Sequence, residues 1–323
     1  MIFDGHSDIF TDVTIKRLLG QTQVIKNHHL PRLHKGQVEG GCFVIWMDPP
    51  YDKEPSKRLE QVLKATKDEM NECEEAVLVH NMAEIRAAKK AKKFYILLGM
   101  EGLSGIGEDV EQLHRLYDFG VRHAMLTWNE ENALATGVQG DSSRGVTELG
   151  KKALRIIQNK KMIMDVSHLN ERSFWDVMDM VGQPILASHS NAKALVAAHR
   201  NLTDEQLRAI RDTNGLVGLN SFNLFVAENM AEQNVDNLVK HASYIADKIG
   251  VEHLGFGFDF FEFLSIDSMK SYSTQNTSFT IGLEDCSKIP ELLIKMRAVG
   301  FTDKDLEMVS SGNWFRLIQE VIG

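Results

Sequence analysis

The sequence predicts an α/β fold: a single-domain (β/α)8 barrel of the TIM type with closing C-terminal helices. Three observations predict it. Eight short apolar or β-branched runs recur along the chain, helix-periodic segments separate most of them, and the 323 residues contain little Pro/Gly/Ser-rich linker. Strands that alternate with helices make a parallel sheet, and at this length closing that sheet into a barrel is the economical solution. An open, doubly wound sheet fits the same alternation and is the alternative. No internal repeat or low-complexity segment divides the chain, so residues 1–323 are expected to form one domain.

The runs, in order, are IFDGHSD (2–8), GCFVIWM (41–47), FYILLGM (94–100), VRHAMLT (121–127), MIMDVS (162–167), PILASH (184–189), GLVGLN (215–220) and HLGFGFD (253–259). The first crossover, residues 11–40, is the least regular. The second, residues 55–93, reads as one long helical segment, with Pro55 at its start. Helical periodicity then covers 108–120, 148–161, 170–181, 202–215 and 235–250, and two closing segments follow at 288–300 and 302–323. LTDEQ offers Thr203 as an N-cap with Gln206 three residues later, a capping box. YDFG, DTNG and DKIG each place a glycine where a helix should end.

Composition excludes several function classes. The chain is 43% hydrophobic and 25% charged, enough apolar mass for a full core. Its 36 Lys+Arg against 45 Asp+Glu give a net charge of −9, with no basic arm of the kind that binds nucleic acid. The longest apolar runs are far too short to span a bilayer, and no secretory signal precedes DGHSD. Three widely spaced cysteines, Cys42, Cys73 and Cys286, suit buried thiols in a reducing compartment. The expected setting is the cytoplasm, with a small-molecule substrate and neither nucleic acid nor membrane as partner.

In such a barrel the site forms where the strands end at their carboxyl side, so the residues that end each run carry the functional information. His6 and Asp8 end the first run and, two apart on a strand, point to the same side. Glu101 ends the third, His168 follows the fifth, His189 ends the sixth and Asp259 ends the eighth. Each has a plain structural explanation by itself: H-x-D is a weak motif, His189 could be a core histidine, and Glu101 could cap a loop. The other nine histidines, 28, 29, 34, 80, 114, 123, 199, 241 and 253, read as solvated, helix-surface or structural. Core packing alone, however, would not place six ionisable groups at matching strand ends. Crowding them costs several kcal/mol unless a cation compensates. Imidazole and carboxylate suit zinc or a neighbouring first-row metal, and the set exceeds what one tetrahedral ion needs. Two ions, with Glu101 as the bridging carboxylate, would use it well.

The motifs DGHSDI, MEG, MDVSH, ASHSNA, HRNLTDEQL, GFGFDF and GLEDCSKIPEL, in this order and spacing, resemble those of the membrane (renal) dipeptidase family, zinc peptidases with an amidohydrolase-like barrel. The resemblance runs from DGHSD to the C-terminus. It implies hydrolysis of dipeptides with a free C-terminal carboxylate by a hydroxide bridging two Zn²⁺ ions. One zinc would be held by His6, Asp8 and Glu101, the other by Glu101, His168 and His189. Arg200 in HRN resembles the family's substrate-carboxylate clamp, and Asp259 resembles its acid/base carboxylate, which also meets substrate. The family is often dimeric, so the resemblance carries a homodimer as a further expectation.

There are departures from the family pattern. Trp128, in LTWNEENAL, stands where better-known members have a substrate-binding histidine, and Phe261 stands where a second aspartate is common. Tryptophan offers one N–H donor and a broad apolar face but cannot exchange a proton. The expected effect is on substrate range, by narrowing the pocket or donating one hydrogen bond. Two other readings keep the same ligands: an amidohydrolase acting on N-acyl amino acids or lactams, and a non-catalytic metal-binding homologue. The second should have lost the proton-shuttling carboxylate, yet Asp259 is present.

Overall fold

A computed structural model describes residues 1–264 and 279–323. It contains a parallel sheet of nine strands: β1 (Ile2–Ser7), β2 (Val38–Trp46), β3 (Ala76–Val79), β4 (Phe94–Glu101), β5 (Val121–Met125), β6 (Ile163–Asp165), β7 (Ile185–Ala187), β8 (Leu216–Leu219) and β9 (Leu254–Phe256). Eight of them follow the order β1-β2-β4-β5-β6-β7-β8-β9, every neighbouring pair parallel, with helices outside. These are the eight runs read from the sequence, and they form the near-closed TIM-type barrel. At the seam between β1 and β9 the Phe258 amide donates to Asp4 Oδ1 at 2.9 Å, and the Asp259 amide donates to the His6 carbonyl at 3.3 Å. A buried carboxylate thus completes what the ladder leaves open.

One element corrects the sequence reading. The segment 55–93 is two helices, Pro55–Glu72 and Met82–Lys90, separated by β3. AVLV is too short to show a period of its own between two amphipathic stretches, and Asn81 restarts the helix by accepting from the Glu84 amide. β3 pairs only with the first half of β4, Ala76 opposite Phe94 through Val79 opposite Leu97, and β5 takes the same edge from Leu98 onward. It carries none of the strand-end groups.

Helix ends mostly follow their sequence signals. Thr203 and Gln206 form the capping box, and Gly120 (φ 124°) and Gly250 (φ 92°) end their helices. DTNG differs: Asn214 takes the left-handed conformation (φ 61°), a position asparagine tolerates, and Gly215 instead leads into β8. Among the described residues the apolar core has two large parts and a small third cluster around Trp46, Phe222, Phe261 and Leu264. Most apolar residues pack between strands and helices. Phe3, Val44, Leu97, Ile163, Leu186 and Leu216, one from each of six barrel strands, instead share a cluster with Trp314. Residues from so many strands meet only in the barrel interior, so this cluster fills its lower end. The C-terminal helix Asn313–Val321 supplies the plug: Trp314 Nε1 donates to the Phe256 carbonyl at 3.0 Å, and Asn313 Nδ2 donates to the Leu254 carbonyl at 2.7 Å.

Candidate active site

The opposite end of the barrel collects the predicted groups. His6 lies near the end of β1, and Asp8 sits at the N-cap position of helix Ile9–Leu18 without capping it. Glu101 is the last residue of β4, followed by Gly102 at φ 74°; a Cβ there would lie 2.8 Å from the Trp128 amide nitrogen, so glycine lets the chain turn away beneath Trp128. His168, His189 and Asp259 lie two or three residues beyond β6, β7 and β9. His168 (φ 70°) and Asp259 (φ 59°) are both left-handed, a conformation that costs a bulky residue about 1–3 kcal/mol and is typical of sites that use the strain.

All six groups are buried and converge. His6 Nε2 lies 3.5 Å from Glu101 Oε2, 3.7 Å from Asp8 Oδ2 and 3.9 Å from Asp259 Oδ1. His168 Nε2 lies 2.9 Å from Glu101 Oε1 and 2.8 Å from His189 Nε2, which is itself 3.8 Å from the same carboxylate oxygen. The outer ring nitrogens are engaged elsewhere, His168 Nδ1 with Asn129 Oδ1 at 2.8 Å and His189 Nδ1 with Ser188 Oγ at 2.7 Å. Asn129 Oδ1 can only accept, so His168 donates from Nδ1 and turns its Nε2 lone pair inward, the tautomer a metal ligand needs, and Ser188 Oγ is able to accept from His189 Nδ1 in the same way.

The donor set fits a divalent metal. Among the described residues, both Asp8 oxygens, both His6 ring nitrogens and Glu101 Oε2 are buried without a hydrogen-bond partner, whereas buried polar atoms in folded chains are nearly always satisfied. His6, Glu101 and His189 form one tight group of ligand atoms, and His6, Asp8 and Asp259 form another. The electrostatics point the same way. Burial, followed by the charge of Asp8, pushes Glu101 up to about 8, and burial pushes Asp259 up to about 6. Burial opposes the charged form of His6, but Glu101 and Asp8 outweigh it and raise its pKa. Burial holds His168 and His189 well below the ordinary histidine value, with Arg200 and His6 adding to it. A cation among these donors would relieve both the crowded carboxylates and the facing lone pairs.

Beside this cluster lies a cavity of ≈ 490 Å³, lined by His168, Arg200, Asp259, Asn129, Phe222 and Phe225 among others. Arg200 is only 8% exposed, and its hydrogen bonds are long: Nη1 to Ser190 Oγ at 3.4 Å and Nη2 to the His189 carbonyl at 3.3 Å, with Nε unpartnered among the described residues. Burial lowers its pKa to about 10, so it stays charged at neutral pH. Trp128 is half-buried, its ring 5.9 Å from that of His168 and 5.2 Å from that of Trp46. Phe261 packs against Phe222. The sequence reading missed the groups that orient the cluster: Asn129, Ser188, and Asn220, whose Nδ2 donates to Asp259 Oδ2 at 3.2 Å. Of the remaining histidines, His29, His123, His241 and His253 are buried and hydrogen-bonded and not solvated.

The membrane dipeptidase family, peptidase family M19, matches residues 1–322. The chain belongs to that family. A crystal structure of a metallopeptidase of the same family, the dipeptidase AC, superposes with a TM-score of 0.86 at 26% identity, covering 100% of this chain and 99% of that one. A Rhodobacter sphaeroides metallopeptidase, solved with a phosphinate mimic of the dipeptide L-Ala-D-Ala, gives 0.85 at 25% identity, with 99% of each chain covered. Among curated relatives, the dipeptidase tcpJ of Claviceps purpurea is 26% identical over 343 residues, 98% of this chain and 76% of that protein. The protein is a hydrolase, a metal-dependent dipeptidase. Among the described residues no helix is long and apolar enough to cross a membrane.

Proposed function

We propose that the enzyme is a binuclear zinc dipeptidase specific for substrates with a free C-terminal carboxylate. His6, Asp8 and Glu101 would hold one ion and Glu101, His168 and His189 the other. When bound, the ions supply a water acidic enough to attack near neutral pH and a polarised peptide carbonyl. The chain's own residues do the rest. Arg200 pairs with the substrate carboxylate and fixes the peptide by a charge-assisted contact. Asp259, between the cluster and the cavity, accepts the proton of the attacking water at a carboxylate oxygen and passes it to the leaving amine. Asn220 holds that carboxylate, and Trp128 stands beside His168 with its ring against Trp46. We place all of this in a single domain, residues 1–323, in the cytoplasm, where three free buried cysteines suit a reducing setting.

The observation that carries the proposal is a dipeptide-sized cavity whose wall brings a poorly paired guanidinium and a buried carboxylate beside the metal-ligand cluster. A substrate panel assayed with added zinc tests it: L,L-dipeptides, L-Ala-D-Ala (the dipeptide whose phosphinate mimic was solved with the Rhodobacter relative), tripeptides and N-acyl amino acids. Dipeptides should dominate the turnover. Cleavage of N-acyl amino acids with dipeptides inert would instead establish the amidohydrolase reading.

A further inference from the structure

Beneath the cluster, inside the barrel, lies a buried histidine–carboxylate pair that the mechanism does not use. His123, in the middle of β5, is fully buried, and its Nε2 lies 2.8 Å from Asp165 Oδ2 at the end of β6. Space for the ring comes from Gly99 on β4, where a Cβ would fall 2.4 Å from His123 Nδ1 and 3.1 Å from Cys42 Sγ. Burial disfavours the charged imidazole, but Cys42 and the Asp165 carboxylate outweigh it and raise His123 to about 9, while the same pairing overcomes burial and keeps Asp165 below its ordinary value. Burying such a pair is costly unless the remaining lone pairs are used. On the carboxylate they are: Asp165 Oδ1 accepts from the Ser167 amide at 2.8 Å and from the Ser188 amide at 3.2 Å, while His123 Nδ1 has no hydrogen-bond partner among the described residues.

Those two amides precede His168 and His189, the histidines assigned to a single ion. Ser188 also engages His189 Nδ1, and Ser167 Oγ accepts from the His189 amide at 3.4 Å. One carboxylate therefore anchors both strand ends, and His123 fixes where that carboxylate sits. We infer that His123 and Asp165 are positioning residues that hold His168 and His189 in register and so set the affinity of the ion those two bind, leaving the ion at His6 and Asp8 little affected. The inference rests on the two-ion assignment above. Groups that orient metal ligands typically change affinity by about 10- to 100-fold when removed.

The test is chelator competition on the zinc-loaded enzyme, resolving the two ions, with the absorption spectrum of the cobalt-substituted protein as a second readout. Asp165→Asn should weaken one ion by about 10- to 100-fold, leave the other within a few-fold of the parent, and shift the cobalt spectrum. The double variant His123→Gln/Asp165→Asn buries no unmatched charge, and the same selective loss is expected in it even if the single variant fails to fold. Parent-like affinity for both ions in a folded variant overturns the inference, as does equal weakening of both, which would mark a merely structural role. So does loss of the fold in both variants. A parent that holds only one ion defeats the two-ion assignment instead, and the pair is then judged on that ion, where unchanged affinity overturns its role.

Discussion

Replacing Arg200 with methionine removes its charge while keeping most of its volume, and the structure allows the consequence to be worked out. Among the described residues the guanidinium makes two hydrogen bonds, both long, at 3.4 and 3.3 Å, and one of its acceptors, the His189 carbonyl, has a second donor in Asn220 Nδ2. The free enzyme therefore loses little in the variant. The bound carboxylate loses much more, because in a buried site a charged group left without its partner costs about 2–5 kcal/mol. That range corresponds to roughly 30- to 5,000-fold in kcat/KM. The informative assay compares a dipeptide with its C-terminal amide on both enzymes. The parent should prefer the free acid by a factor in this range, and Arg200→Met should lose that preference by cleaving the acid poorly, with the amide rate changed only a few-fold. A folded variant that keeps the parent's preference, or a parent that turns over acid and amide equally, would refute the clamp.

Other outcomes follow from the same geometry. Asp259→Asn should retain its metal, measured by elemental analysis, while kcat falls by about 10²- to 10⁴-fold; near-parent kcat in a fully metallated variant excludes the proton-transfer role. Trp128→His should reorder the preference among dipeptide side chains on a common panel more than it changes the best kcat, and an unchanged order in a stable variant would leave Trp128 as packing only. Stability should also depend on pH through His29. This buried ring accepts from Arg32 at Nδ1 (2.6 Å) and meets Asp12 at Nε2 (2.9 Å), and burial lowers its pKa to about 4 from 6.5. As pH falls, the unfolded chain takes up this proton first, so the contribution is fully present above pH 6.5 and is lost as pH falls towards 4, with an upper bound of about 3 kcal/mol. Denaturant midpoints at pH 7 and pH 5 should differ less in His29→Gln than in the parent; identical pH dependence in the two would remove His29 as the cause.

The site was legible in the sequence to the extent that it is a property of strand ends. His6, Asp8, Glu101, His168, His189 and Asp259 each follow an apolar run, and a parallel barrel brings such positions to one mouth whatever the loops do. The supporting groups were not legible, because their partners are set by tertiary position. His123 and Asp165 are 42 residues apart and pair across adjacent strands in a register that apolar patterning does not specify. Asn129, in the loop after β5, meets His168 across 39 residues of sequence, a contact that no local pattern specifies. β3 escaped notice because four apolar residues between two amphipathic helices carry too little periodicity to be told from either. At DTNG the turn residue was misplaced by one: asparagine and glycine both tolerate the left-handed position, and packing of Gly215 against the Ile185 carbonyl, 2.1 Å from where its Cβ would be, decided between them.

The central claim is that this ligand cluster works as a two-ion centre, and the most direct test is to count ions against activity. Metal-free enzyme would be titrated with zinc while bound metal and dipeptide turnover are both followed. The account predicts saturation at two ions per chain, with full activity only when the second is bound and with His168→Ala and His189→Ala each stopping at one. Full activity at a single ion per chain would contradict it.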